Sequence, residues 1–573
     1  MGLKYLRRVS RFPSRASQHM DEYATRALNN VASADVREFI AQTAKAWHRP
    51  SGDVSLVEDS LLKYDTRPSK RCTTGDYLAI LKKTLDELRP DEPIIPLTLG
   101  AAAKHPDFPR TTSPGFPWIH QGFSSKSDVL QDKGGSGLIH RAWDSIGRGI
   151  PWSLPDSLAY HRVVASPVDK TKVRPVWGYP VDVVLEEARF FLPMITFLKG
   201  KCNKDDTFYG LGLETALSGH SHLLRCFSEN HIKLSMSADL SNFDAQVPSW
   251  IIRDVFSHMS SWFDFTKVQD SEGKIWNVKD EQTCRRWRAM VSYFVNTKIR
   301  TPSGLRVQKS SGVPSGSMFT NVIDTLVNAV QMRTAIRRVT GYLPAKDYYY
   351  GDDSEVFFDC QGIDLDALAS ELLDTFGAIL SVEKTILTDN PDNIHWLGYY
   401  CREGSPRRPL DFIIASTLYP EREVVSPLDS CARMVGQMYS VMDPKSSVLF
   451  YDAVRHLLLE YHIDDATLET YLRTLPSKAF KYLATLGLDM SEISLPICHP
   501  DPFGSRYIPA VLPRPSPRNY TKIRDRVLPD YAFVAEAYAN RSLRSRSFTD
   551  FDKYIETFSF YNEFELDEAY FSA

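Results

Sequence analysis

The segment DYYYGDDSEVFF, residues 347–358, sets the tightest limit on what this chain can become. Two β-prone runs flank Gly351-Asp352-Asp353, which predicts a hairpin whose glycine takes the positive φ and whose acids sit at the tip. The aromatic and apolar flanks would hold that tip in a buried sheet. Two adjacent carboxylates at a fixed tip suit a hard cation that takes oxygen ligands. A plain turn uses the same residues, since Asp and Gly dominate turns, so the tip needs company before it implies chemistry.

Two further segments supply that company. In IKLSMSADLSNFDAQVPSW (232–250) an apolar run leads into Asp239, with Asp244 five positions on. This reads as strand, turn and helix, with Asp239 at the strand end. A helix N-cap is the alternative role for that residue. A carboxylate from a neighbouring strand is what a two-metal phosphoryl-transfer site requires. In SSGVPSGSMFTNVIDTLVNAVQM (310–332) a Ser-Gly loop runs into a helix. There Asn321, Asp324 and Asn328 follow i, i+3, i+7, so a polar stripe interrupts an apolar helix. Buried polar groups need partners, and a ribose is one that fits; capping and water are the alternatives.

Composition narrows the class. The chain has 573 residues, too many for one ordinary core, with 43% hydrophobic and 12% aromatic content. Net charge is −3, so polyanion binding must come from placement of charge, not from excess. The eight cysteines (72, 202, 226, 284, 360, 401, 431, 498) show no CxxC pair and read as reduced thiols. No apolar run is long enough for a membrane span, and no membrane partner is expected. The segment MGLKYLRRVSRFPSRAS lacks the apolar core of a secretory signal and is expected to be a basic arm facing solvent or nucleic acid. No GxxxxGK[ST] occurs, which leaves no motif for a P-loop motor.

In this order the three segments resemble motifs A, B and C of viral RNA-dependent RNA polymerases. The matches are D-x4-D (Asp239, Asp244), SG-x3-T (Ser315, Gly316, Thr320) and GDD (Gly351, Asp352, Asp353). The surrounding wording is most similar to partitiviruses, then picobirnaviruses, both small double-stranded RNA viruses. The resemblance implies Mg²⁺, replaceable by Mn²⁺, on Asp239, Asp352 and Asp353, with Asp353 as an auxiliary acid that binds when both ions are present. It implies ribose reading by Asp244 with the helix residues Thr320, Asn321 and Asp324. Many positive-strand virus polymerases carry Asn where this chain has Asp324. Two facing carboxylates would repel or share a proton, so either Asp324 turns elsewhere or Asn321 or Thr320 supplies the donor.

Other stretches extend the likeness. TTSPGFPW (111–118) resembles motif G, a template guide, at Thr112, Ser113, Gly115 and Pro117. VDKTKVRPVWGYP (168–180) resembles motif F and places Lys172 and Arg174 over the incoming triphosphate, chemistry that suits a guanidinium fork. FGAILSVEKTIL (376–387) resembles motif D, with Lys384 as the acid that protonates pyrophosphate. IHWLGYYCREGSPRRP (394–409) resembles the motif E hairpin.

The implied fold is α+β, a right-hand polymerase with an antiparallel palm sheet and a helical thumb. Its expected parts are an N-terminal bridge (1–95), fingers (96–231 and 257–304), palm (232–256 and 305–410), and thumb with tail (411–573). Primer-independent copying of RNA follows by resemblance, as do template and product RNA, ribonucleoside triphosphates and capsid protein as partners. So does a location in the virion interior and host cytoplasm. The rivals are a reverse transcriptase, which would place a bulky aromatic at Asp244, a metal-dependent glycosyltransferase, which leaves the Ser-Gly helix unexplained, and a virion RNA-binding component with an inactive site.

Overall fold

The hairpin at 347–358 forms as the sequence demands, and the rest of the central sheet is built on it. In the computed structural model, Lys346–Tyr350 and Asp353–Phe358 pair across a two-residue loop. Gly351 alone of the two loop residues has positive φ, at 65°, the pattern of a type II′ turn. Leu234–Ala238 pairs with the second hairpin strand, and Ile386–Thr388 closes the other edge. All three pairings are antiparallel.

The helix Thr320–Thr340 packs against this sheet with Val322–Ile336 buried. Such a helix must pair its polar side chains internally, and most of them do. Arg333 forks onto Asp347 at 2.6 and 2.8 Å and reaches Glu87 at 2.8 Å.

The structure describes residues 2–475 apart from 14–18, 51–52, 67–68, 171–172, 214–215, 230, 403–404 and 442–443. The Pro-rich connector from Cys498 to Pro517 and the acidic, aromatic tail from Asp550 lie outside the described residues, as does Lys172.

A second sheet has five strands in the order Leu3–Tyr5, Arg306–Lys309, Lys298–Arg300, Ser157–Val163, Val173–Gly178. Its edge corrects the expectation of a free N-terminal arm. Leu3 pairs with Lys309 and is buried, and Ser310 donates its N–H to the Gly2 carbonyl. The apolar residues Leu3 and Phe12 draw this stretch onto the body, while Arg7, Arg8 and Arg11 stay exposed. The hairpin Lys298–Arg300/Arg306–Lys309 runs across the expected boundary at 304/305, so 305–309 sit with the segment before them.

A smaller sheet, His395–Trp396, Tyr399–Arg402 and Ser405–Arg407, occupies the predicted motif E stretch. After it the chain is helical, in Leu410–Leu418, Pro427–Ser440, Pro444–Glu460 and Asp465–Thr474. These helices share an apolar core with Glu22–Val31 and Ala34–Ala46 through Leu28, Ile40, Ile413, Met434 and Leu449. The mixture of antiparallel sheets and separate helices is α+β, as expected.

Candidate active site

Asp239 follows directly on the strand Leu234–Ala238, and Asp353 opens the strand that pairs with it. The register pairs Ser354 with Ala238. One step further along the ladder sets Asp353 beside Asp239, with the exposed Asp352 next to them in the turn. After Asp239 the backbone turns at Asn242, whose φ is 49°, and re-enters a short helix, Phe243–Gln246, that carries Asp244. The charges that act on Asp244 there are those of Asp352 and Arg174.

Burial first, and then crowding of like charge, raises the carboxyls of Asp353, Asp244 and Asp324. Burial, then Asp352 and Asp239, push the Asp353 carboxyl up to about 7, against the opposing pull of Arg174. Burial and Asp352 push Asp244 up to about 6, again opposed by Arg174. Asp324 is held well above the usual range by burial, then by Asp244 and Asp352. It is 4% exposed, and its Oδ1 has no hydrogen-bond partner among the described residues. The charges that act on Asp324 are those of Asp244 and Asp352. Like charges held this close favour a proton or a cation between them.

The turn is clamped from the long helix. Asn328 Nδ2 donates to the carbonyls of Gly351 (3.1 Å) and Asp352 (3.2 Å) and to Ser354 Oγ (2.9 Å). Thr325 Oγ1 accepts the Gly351 N–H at 2.8 Å. Asn328 was noted as part of the polar stripe; its partner is the turn itself. Asn321 Oδ1 accepts from the Tyr209 hydroxyl at 2.8 Å. Thr320 Oγ1 lies 2.7 Å from the Pro314 carbonyl and 2.8 Å from that of Ser317. Its proton serves the loop and leaves the oxygen lone pairs for other contacts.

The Ser-Gly loop lies against the basic strand Val173–Gly178. Ser315 Oγ accepts the Trp177 N–H at 3.2 Å, and a Cβ at Gly316 would stand 2.1 Å from the Trp177 carbonyl. Only glycine permits that approach. Arg174, exposed on the same strand, acts electrostatically on both Asp244 and Asp353. Sequence reasoning missed a buried acid here. Glu187, on the helix Val181–Lys204, accepts from Ser317 Oγ at 2.7 Å and from the Met318 N–H at 2.8 Å. It lies about 130 positions away, so no local pattern marks it.

Lys384 stands 3.8 Å from Asp239 Oδ1 with its side chain 63% exposed, at the mouth of the site. The 111–118 loop is fixed by the buried Lys126, whose Nζ bonds Thr112 Oγ1 and the Ser113 carbonyl, each at 2.6 Å. Gly115 has φ of 73°, and a Cβ there would meet the Tyr179 carbonyl at 2.6 Å; the loop abuts the start of the Val181–Lys204 helix. Pro117 follows Phe116 in the same loop.

Among the described residues no three His, Cys, Asp or Glu side chains close to coordination distance. The acids nonetheless fit a divalent cation chemically: the donor set is all oxygen, and its mutual repulsion is what such an ion relieves.

Residues 19–426 match the family described as viral RNA-dependent RNA polymerase. That match spans more than half of the chain, and the chain belongs to this family. It is 25% identical over 311 residues to the RNA-directed RNA polymerase of Atkinsonella hypoxylon virus, covering 48% of this chain and 46% of the relative. It is 24% identical over 361 residues to the RNA-directed RNA polymerase of Cryptosporidium parvum virus 1, covering 58% and 62%. A genome polyprotein of Human klassevirus 1 is 24% identical over 244 residues, 42% of this chain and 9% of the polyprotein. In each case the aligned part is less than two thirds of the relative's own length.

Proposed function

We propose that the chain is an RNA-directed RNA polymerase that replicates and transcribes a viral RNA genome, folded as fingers, palm and thumb. The observation that carries this is the antiparallel register that sets Asp353 beside Asp239, with Asp352 in the adjoining turn and the Arg174 charge acting on Asp244 and Asp353. The palm would be the four-stranded sheet with its buried helix, and the thumb the helices after 410.

Asp239, Asp352 and Asp353 would hold Mg²⁺ or Mn²⁺. When bound, two such ions favour ionisation of the attacking 3′-hydroxyl and offset charge on the leaving pyrophosphate. The 3′-oxygen forms the new bond to the α-phosphorus, and the bond from that phosphorus to the bridging oxygen breaks. Arg174, with Lys172, would hold the triphosphate, and the Lys384 ammonium would return a proton to pyrophosphate. Asp244 would accept from the ribose 2′-hydroxyl, the group that separates RNA from DNA substrates; this favours the reading over a reverse transcriptase.

Primer-independent initiation, a capsid-protein partner, and a location in the virion interior and host cytoplasm are proposed on the likeness to double-stranded RNA virus polymerases. No helix among the described residues is long and apolar enough to cross a membrane.

The test is nucleotide addition on a single-stranded RNA template with Mg²⁺ or Mn²⁺. The wild type is expected to extend and Asp352→Ala to fall to background; an inactive wild type or an active variant overturns the reading. Asp244→Ala is expected to admit deoxynucleotides more readily. Unchanged discrimination would move sugar reading to the helix residues.

A further inference from the structure

Away from the acids, an open cavity of about 530 Å³ lies between loop 149–154, the helix Asp280–Val295 and the hairpin Lys298–Arg300/Arg306–Lys309. None of its lining residues is acidic, and three are cations: Arg285, Arg288 and Lys298. Arg285 is engaged by the Gly147 carbonyl at 3.0 Å and by Glu281 at 3.1 Å. The side chains of Arg288 and Lys298 make no hydrogen bond or ion pair among the described residues. Beside them Trp152 is 41% exposed and Ile150 53% exposed.

The cavity does not stand alone. Gln308 pairs with Lys298 and Arg306 with Arg300, and alternate residues of a strand share a face. Further along that face the Arg300 guanidinium lies 3.9 Å from the ring centre of Phe116, inside the loop expected to guide template. Arg300 and Arg306 share one carboxylate, Asp156, at 2.6 and 2.7 Å, which leaves one net positive charge there. The row is therefore positive along its length, and at its cavity end Arg288 and Lys298 have no carboxylate partner among the described residues.

Unpaired cations beside an exposed indole, with no carboxylate among the lining residues, match the alternation of phosphate and base in a single strand. Lysine and arginine meet the backbone, and aromatic rings accept any base by stacking. We infer that this cavity is a docking site for single-stranded RNA outside the catalytic centre. The inference rests on the polymerase reading for the identity of the polyanion.

The experiment uses the full chain with a 4-thiouridine-substituted RNA single strand of about 12 nucleotides, within the range such sites span. After irradiation the adduct is mapped by mass spectrometry. Adducts are expected within 147–155 or 285–298. They should fall at least about ten-fold in Arg288→Glu/Lys298→Glu, with the slope of log affinity against log salt shallower by about 1.4. Trp152→Ala should lose the adduct and Trp152→Phe keep it, with thermal midpoints compared to exclude misfolding. Adducts absent from both segments, or unchanged in the double variant and in Trp152→Ala, overturn the proposal, including the case where an acidic protein segment is the true occupant. A chain that extends RNA without these adducts sinks this inference alone; one that forms them without extending RNA sinks the polymerase reading alone.

Discussion

At the side chain of Asp324, burial and like charge act together. Its Oδ1 is buried with no hydrogen-bond partner among the described residues, and the charges of Asp244 and Asp352 act on it. A carboxyl in that setting is stable when protonated, and the proton makes it a donor toward its neighbours, as an amide would be. Asp324→Asn is therefore expected to keep ribonucleotide addition within about ten-fold, the worth of roughly one hydrogen bond at 1.4 kcal/mol. Single-turnover rates on a primed template check this. A loss far beyond ten-fold would show that Asp324 must lose its proton, and the neutral-acid account would fail. Gly316 shows the opposite kind of constraint: it is required for what it lacks, since any side chain would displace the Trp177 backbone.

At the scale of elements, the loop before the long helix is held by Glu187, whose carboxyl burial pushes up from 4.5 to about 7. Between those values the native state binds more protons than the unfolded chain. Stability from this group is thus fully present below about pH 4.5 and lost as pH rises through about 7. Glu187→Gln cannot titrate. The stability difference between pH 5 and pH 8 should shrink by up to roughly 3 kcal/mol, at about 1.4 kcal/mol per unit; denaturant melts at the two pH values read it, and an unchanged difference refutes the clasp. The acids, their strand ends and the Ser-Gly loop were legible because each is announced locally, by a β-run, a glycine or a change of period. Glu187 and Lys126 were not, because their partners come from other elements and burial decides their role. The N-terminal strand was hidden by its own arginines, which remain outward while Leu3 and Phe12 supply the packing. Asn328 was visible as a polar interruption, but only the folded turn reveals what it holds.

Across the whole molecule, the first fifty residues join two bodies that have separate cores. Leu3–Tyr5 completes the five-stranded sheet, whereas Glu22–Val31 and Ala34–Ala46 belong to the helical core formed after residue 410. A chain joined at both ends in this way limits how far the two bodies can separate. Within the helical body the fastening of Glu22–Val31 is Asp21, fully buried, which caps that helix through the Ala24 N–H and accepts from Ser430 Oγ and from Arg433. Asp21→Ala removes the cap and leaves a partly buried guanidinium without its carboxylate, a loss of about 3–5 kcal/mol for a broken buried pair. Because the helical core does not merge with the main one, that loss should appear there first. Calorimetry is expected to show the helical transition moving down while the main transition stays. Limited proteolysis should open 410–475 before the sheet regions. A uniform shift of both transitions would mean the two cores melt as one, and no shift would mean that Asp21 is not the fastening.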